Sequence, residues 1–339
     1  MTRKKYLVFA MLAISLAVLV SVTVLLAIDI FYHHKLQASG GVNVWGYRGP
    51  TVGRKRAGER RLVVVGERTA FGYGVHWQEA IPAYLQELLN RQGAASGQPI
   101  TVVNLAYNNE GARSYKFTLQ DYAYLDYDAV VFYSGYNDLG GPNLSVFRHT
   151  SPIFRLTGYL PILPIVFREK SMAILSGGSI EMAYRGDKTV FKPNVAQRTS
   201  ASALAAVADI SETLNKQLNR AVLDPTDTAA AEGAECGERW AHYCGGMYEA
   251  VKYAVDHQKK VMIVTQPYLN RTSHPDQQEH LASYLQHRFG SHPLLQFINL
   301  GEALALTDPA LCFDGMHLTA AGNHVIAEKL AGPVSAMLR

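Results

Sequence analysis

Between Lys5 and Asp29 the chain runs for 23 residues, Tyr6 to Ile28, without a charge. A helix of about 20 apolar residues is the length that crosses a bilayer core. A secretory signal is the competing reading, but its apolar core reaches only about 15 residues and ends at a small-residue cleavage site. This run ends in Ile28, Asp29, Ile30, Phe31 and Tyr32, with no Ala-x-Ala-like site. Arg3, Lys4 and Lys5 precede it, whereas Asp29 and two histidines follow it closely. The positive-inside bias then puts the N-terminus in the cytoplasm. Residues 1–32 are expected to be a basic tip and a single-pass signal anchor. The rest of the chain is expected outside, in a periplasm or at a cell surface.

A polar arm is expected over residues 33–60, with Gly40-Gly41 and Gly49-Pro50 inside it. Toward its end stand Arg54, Lys55, Arg56, Arg60 and Arg61. They read as a solvated face, or as a surface for anionic lipid or polysaccharide. The formal charge of the whole chain is only +4, so nothing points to nucleic acid. The membrane is the partner that the sequence indicates.

From residue 61 to 339 short apolar runs alternate with helical spacing, and a hydrophobic content of 48% provides a sizeable core. Leu62–Val65, Thr101–Leu105, Ala129–Tyr133, Lys260–Thr265 and Phe297–Leu300 read as strands, the first running into Gly66. Continuous β-branched runs of this kind suit a parallel sheet covered on both faces. Apolar residues recur at helical spacing over Trp77–Leu89, and helices are expected near Ala241–His257 and over Ala320–Leu338, broken near Gly332-Pro333. This alternation predicts an α/β domain with a parallel sheet. Such sheets bind ligands beyond the carboxyl ends of their strands.

Two regions interrupt the alternation. Residues 142–194 hold an apolar stretch, Ile153 to Leu175, that contains Pro161, Pro164, Arg155, Arg168, Glu169 and Lys170. Those residues disfavour a second span, and a lid or membrane-proximal insertion is expected. Residues 223–238, rich in Ala, Thr, Gly and Asp, read as a loop. Cys236 and Cys244 have seven residues between them, and in an exported domain a local disulfide is expected. Cys312 is expected buried as a small hydrophobe. No metal site and no organic cofactor is implied.

Three blocks carry candidate chemistry. Gly66-Glu67-Arg68-Thr69-Ala70-Phe71-Gly72-Tyr73-Gly74-Val75 follows the first strand, where a sharp strand-to-helix turn lifts a side chain to the top of a sheet. Gly135-Tyr136-Asn137-Asp138 follows the third strand. An asparagine there can donate to an oxyanion, although the same residues are ordinary turn formers. Asp314-Gly315-Met316-His317 lies just before the last helix. An aspartate three residues before a histidine can hold one ring nitrogen and leave the other as general base. It can equally serve as a helix cap.

Together, and in this order, the blocks resemble those of the SGNH (GDSL-type) hydrolases, over about residues 43–335. The arm Trp45-Gly46-Tyr47-Arg48-Gly49-Pro50 is similar to one upstream of the first block in bacterial, membrane-attached members. The resemblance implies a three-layer α/β/α, flavodoxin-like domain and hydrolysis or transfer of an ester-linked acyl group. It also implies His317 as base, Asp314 as its orienter, and Asn137 and the Gly111 amide as oxyanion donors. Small esters, or acylated glycan or lipid of the cell envelope, become the expected substrates.

One position departs from the pattern: Arg68 stands where the family keeps its nucleophilic serine, and no serine lies between Arg61 and Val75. A guanidinium stays protonated and has no lone pair for acyl transfer. Thr69 is one residue late, about 100° around a helical turn. Three readings stay open: a variant of an active esterase, a pseudoenzyme acting as an exported ligand-binding module, and slow hydrolysis by a water that His317 activates.

Overall fold

A computed structural model describes residues 3–37, 40–92, 98–167 and 229–339. They fall into two compact units, one from Met1–Leu36 and Pro161–Ala221, the other from Gln37–Leu160 and Val222–Arg339.

In the first unit, helix α1 (Arg3–Gln37) contains the charge-free run. Its Lys5–Gln37 portion, 33 residues with mean hydropathy 2.8, is long and apolar enough to cross a membrane. Tyr6, Leu12, Leu19 and Val22 all lie exposed, so this apolar surface is not that of a core helix. Near its end the Asp29 carboxylate accepts hydrogen bonds from the Ile162 and Leu163 amides, at 2.9 and 2.6 Å.

The second unit is built on five parallel strands, β1 (Arg60–Gly66), β2 (Ile100–Asn104), β3 (Ala129–Ser134), β4 (Lys260–Thr265) and β5 (Leu295–Asn299). Their order is β2-β1-β3-β4-β5, the order of flavodoxin-like doubly wound sheets. Leu62–Val65 and Ala129–Tyr133 are wholly buried, which is why their sequences run apolar without alternation. Helices α3 (Ile81–Gln92) and α9 (Ala320–Leu338) pack together on one face, and α4 (Ala112–Asp121) packs with α7 (Ala241–Asp256) on the other. The result is a three-layer α/β/α domain with a parallel sheet. Helix α8 (Ser273–Phe289) sits beside α7.

The structure departs from the sequence reading at several elements. The helix expected from Trp77 is a short 3-10 turn, Trp77–Glu79, followed by α3. Ala80 between them is extended, and Pro82 sits in the first turn of α3, where its missing N–H costs no bond. Helix α9 continues through Gly332-Pro333 instead of breaking. Leu330, Ala331 and Val334 are buried around the proline, and that packing holds the turn together. Part of the expected loop 223–238 is helical, as α6 (Ala229–Glu232) and the turn Ala234–Cys236; residues 223–228 lie outside the described residues. Residues 40–60 form no free arm. Tyr47 and Arg48 are buried, and the Arg48 amide donates to the Asn104 carbonyl. Two of the five cations in the basic run are paired from within, in a buried Arg61–Glu59 pair at 2.7 Å and Lys55–Asp128 at 2.7 Å.

Cys236 and Cys244 are bonded, with Cα atoms 6.3 Å apart, and Cys312 is free and buried. Of the expected insertion, residues 168–194 lie outside the described residues. Its first part is tied down rather than free to hinge. Phe147 stacks on Tyr107 at 5.6 Å, and the buried Arg148 pairs with Glu110 at 3.1 Å. Short helix α5 (Pro152–Thr157) follows, capped by Ser151.

Candidate active site

All three blocks reach the carboxyl end of the sheet in the second unit. Strand β1 ends at Gly66, whose Cβ, if it had one, would lie 2.2 Å from the Tyr133 carbonyl oxygen. Only glycine lets β1 and β3 run side by side to that point. The chain then turns through Glu67 into the four-residue helix α2 (Arg68–Phe71). Gly72 closes it at φ +83°, a conformation that favours glycine. The Tyr73 amide returns to the Arg68 carbonyl at 2.9 Å.

That turn meets the Asp314–His317 loop. The Tyr73 ring lies 4.7 Å from the His317 ring, and the Phe313 ring stacks on it at 6.2 Å. A side chain at Gly74 would strike Phe313 at 2.5 Å. The imidazole is buried, with Nδ1 2.5 Å from Asp314 Oδ2. Asp314 Oδ1 accepts from the backbone amides of Met316 and His317 at 3.0 and 2.7 Å. Burial alone would raise the Asp314 pKa, but these bonds and the His317 ring outweigh it, and the carboxyl is held below its ordinary range. An ionised aspartate therefore fixes the ring through Nδ1, and Nε2 is the atom that can take a proton.

Asn137 sits in a 3-10 turn after β3, and its Nδ2 donates to the Glu110 carbonyl at 2.8 Å. An amide nitrogen carries two hydrogens, so one is taken and the side chain is oriented. Gly111, next to Glu110, opens α4. A Cβ there would come within 2.6 Å of an Asp138 carboxylate oxygen. The structure thus brings Arg68, Gly111, Asn137, Asp314 and His317 to one end of one sheet. Arg68 is part-buried, and its Nη2 reaches Asn109 Oδ1 at 3.4 Å. Cys236 and Cys244 take no part in this arrangement.

Thr69 is not placed to attack. It is buried, and its hydroxyl accepts from Gln266 Nε2 at 2.6 Å. Gln266 in turn accepts from the Tyr136 amide at 3.2 Å.

Sequence reasoning missed the buried acids beneath the site. Glu67 has no exposed surface, and its two oxygens accept from the Gly135 and Asn137 amides at 2.9 and 2.8 Å. It therefore staples the β3 turn to the β1 turn. Asp138 is also buried and accepts from the Ala112 amide at 3.1 Å. Burial, and then the charge of Asp138, push the Glu67 carboxyl up to about 8, and burial raises Asp138 to about 7. Glu67 was visible in the sequence as the residue before Arg68, but nothing in its spacing showed that it reaches across to the next strand.

No protein-family model matches the chain, and no curated protein does either. Among solved structures the chain is similar to a lipase/acylhydrolase from Enterococcus faecalis, at 17% identity and TM-score 0.38, covering 83% of this chain and 97% of that one. It is similar to the psychrotrophic esterase EstA from Pseudoalteromonas sp., at 10% identity and TM-score 0.43, covering 82% and 98%. A GDSL-like lipase from Bacteroides thetaiotaomicron matches at 10% identity and TM-score 0.39, covering 84% and 92%. At these identities and TM-scores the likeness assigns no residue a role.

Proposed function

We propose that the chain is a membrane-anchored, SGNH-type hydrolase-like protein whose acyl-transfer site lacks its nucleophile, and that it binds acyl ligands without forming an acyl-enzyme. The observation that carries this reading is the oriented Asp314–His317 pair beside a turn that presents Arg68. In ester hydrolysis such a pair takes a proton from a serine hydroxyl, and amide donors hold the oxyanion. In this reading His317 is the base, Asp314 its orienter, and Asn137 and the Gly111 amide the donors, which the Asp314–His317 contact supports. Arg68 has no oxygen from which His317 could take a proton. Thr69 does not substitute, because its hydroxyl is buried against Gln266. Helix α1 serves as the anchor, with the N-terminus cytoplasmic and the α/β domain extracytoplasmic. That location favours small esters, or acylated envelope glycan or lipid, as ligands.

An organophosphonate label that traps activated hydroxyls tests this reading. The unmodified chain should stay unlabelled. Arg68→Ser should label at residue 68, and only while His317 is present. Labelling of the unmodified chain at Thr69 would overturn the proposal.

A further inference from the structure

We propose that Arg68 makes this site a receptor for a carboxylate ligand, which its guanidinium holds where a nucleophile would meet an acyl carbonyl. The inference deepens the reading above and rests on it.

The guanidinium is under-used. Among the described residues Arg68 forms no salt bridge, and its one hydrogen bond is the 3.4 Å contact with Asn109. Its Nε is shielded from solvent and has no acceptor. A buried N–H without an acceptor is costly. A carboxylate takes two N–H groups of a guanidinium together, in the two-pronged geometry that arginine favours.

No neighbouring acid already fills that role. The Glu67 oxygens are taken by the Gly135 and Asn137 amides, and burial raises its pKa, which favours the neutral form. The Asp314 oxygens are taken by Met316, His317 and the imidazole.

The charge balance selects the ligand. The Arg68 guanidinium and the ionised Asp314 belong to turns at the same end of the sheet. A monoanion adds one negative charge to a site with one cation and one ionised acid, whereas a dianionic phosphate adds two, so the monoanion meets the smaller electrostatic cost. Tyr73 and Phe313, 41% and 46% exposed on the His317 ring, offer apolar surface to a short or aromatic tail. The fitting ligand is thus a monocarboxylate with an apolar tail, the acid side of an ester.

The test titrates the full chain, in a non-ionic detergent, with butyrate, benzoate and inorganic phosphate, by calorimetry and by Tm. Saturable binding of both carboxylates, a rise in Tm, and phosphate at least tenfold weaker are expected. Arg68→Gln should weaken carboxylate binding about 10- to 100-fold. Arg68→Lys, which keeps the charge but not the fork, should fall between. If Arg68→Gln fails to fold, the Arg68→Lys comparison decides alone. Absence of saturation, equal affinity for phosphate, or unchanged affinity in the variants would each overturn the inference. Labelling of Arg68→Ser reads the hydrolase-like site separately, so the two ideas can fail independently.

Discussion

The proposed absence of a nucleophile at Arg68, with the groups around it left in order, is a matter of single side chains. The His317 ring is held through Nδ1 by Asp314, and the hydroxyl of Thr69, next to Arg68 in the chain, is turned inward to Gln266. Thr69→Val should therefore act on stability rather than on chemistry. It leaves the Gln266 amide short of an acceptor, and a loss of about 1–3 kcal/mol in urea unfolding is expected. In an Arg68→Ser background the same change should leave ester turnover within a few-fold. Much of the site was legible at this scale. Asp314, His317 and Asn137 stood out because short blocks placed them after strands or before a helix. Glu67, Gln266 and Tyr73 did not, because each works by reaching a residue distant in sequence.

At the scale of elements, the strands were legible and several helices were not. The buried strands β1, β3 and β4 leave an apolar, β-branched trace, and all five strands, including the exposed edge strand β5, lie close to their expected bounds. Helices α4 and α8 left no such trace, since each mixes polar residues through a half-buried surface. What positions α4 is its contact with α7. A Cβ at Gly246 would stand 2.8 Å from the Ala112 carbonyl carbon, so the two backbones cross almost in contact. Gly246→Ala should destabilise the domain by about 1–3 kcal/mol through overpacking, although alanine is the better helix former by about 1 kcal/mol. A gain in denaturation midpoint would contradict this packing. Arg148 makes a second such test. It bonds the Leu105 carbonyl, Thr118 and Glu110 at 3.0–3.1 Å, and Arg148→Ala leaves Glu110 buried without its cation. A cost of about 3–5 kcal/mol is expected.

For the whole molecule, the two buried acids at the top of the sheet couple folding to pH. Both carboxyls have pKa values raised above their unfolded values, to about 8 for Glu67 and about 7 for Asp138. The folded state then binds more protons than the unfolded state between the ordinary carboxylate range and about pH 8. Stability should fall as pH rises through that window and level off above it. Glu67→Gln should flatten the profile, and unfolding midpoints from pH 5 to 9 measure it. The proposed anchor is a second property of the whole chain. A chain held by α1 should stay with membranes through alkaline and high-salt washes, and deletion of residues 1–37 should release it. The central claim is that the site lacks only its nucleophile. The measurement that tests it most directly is turnover of a short-chain chromogenic ester by the full chain, as it stands and with Arg68→Ser, each with and without His317→Ala. The account predicts no His317-dependent turnover in the unmodified chain. It predicts a gain of about three orders of magnitude or more for Arg68→Ser, lost again with His317→Ala. Turnover by the unmodified chain that disappears with His317→Ala would contradict it.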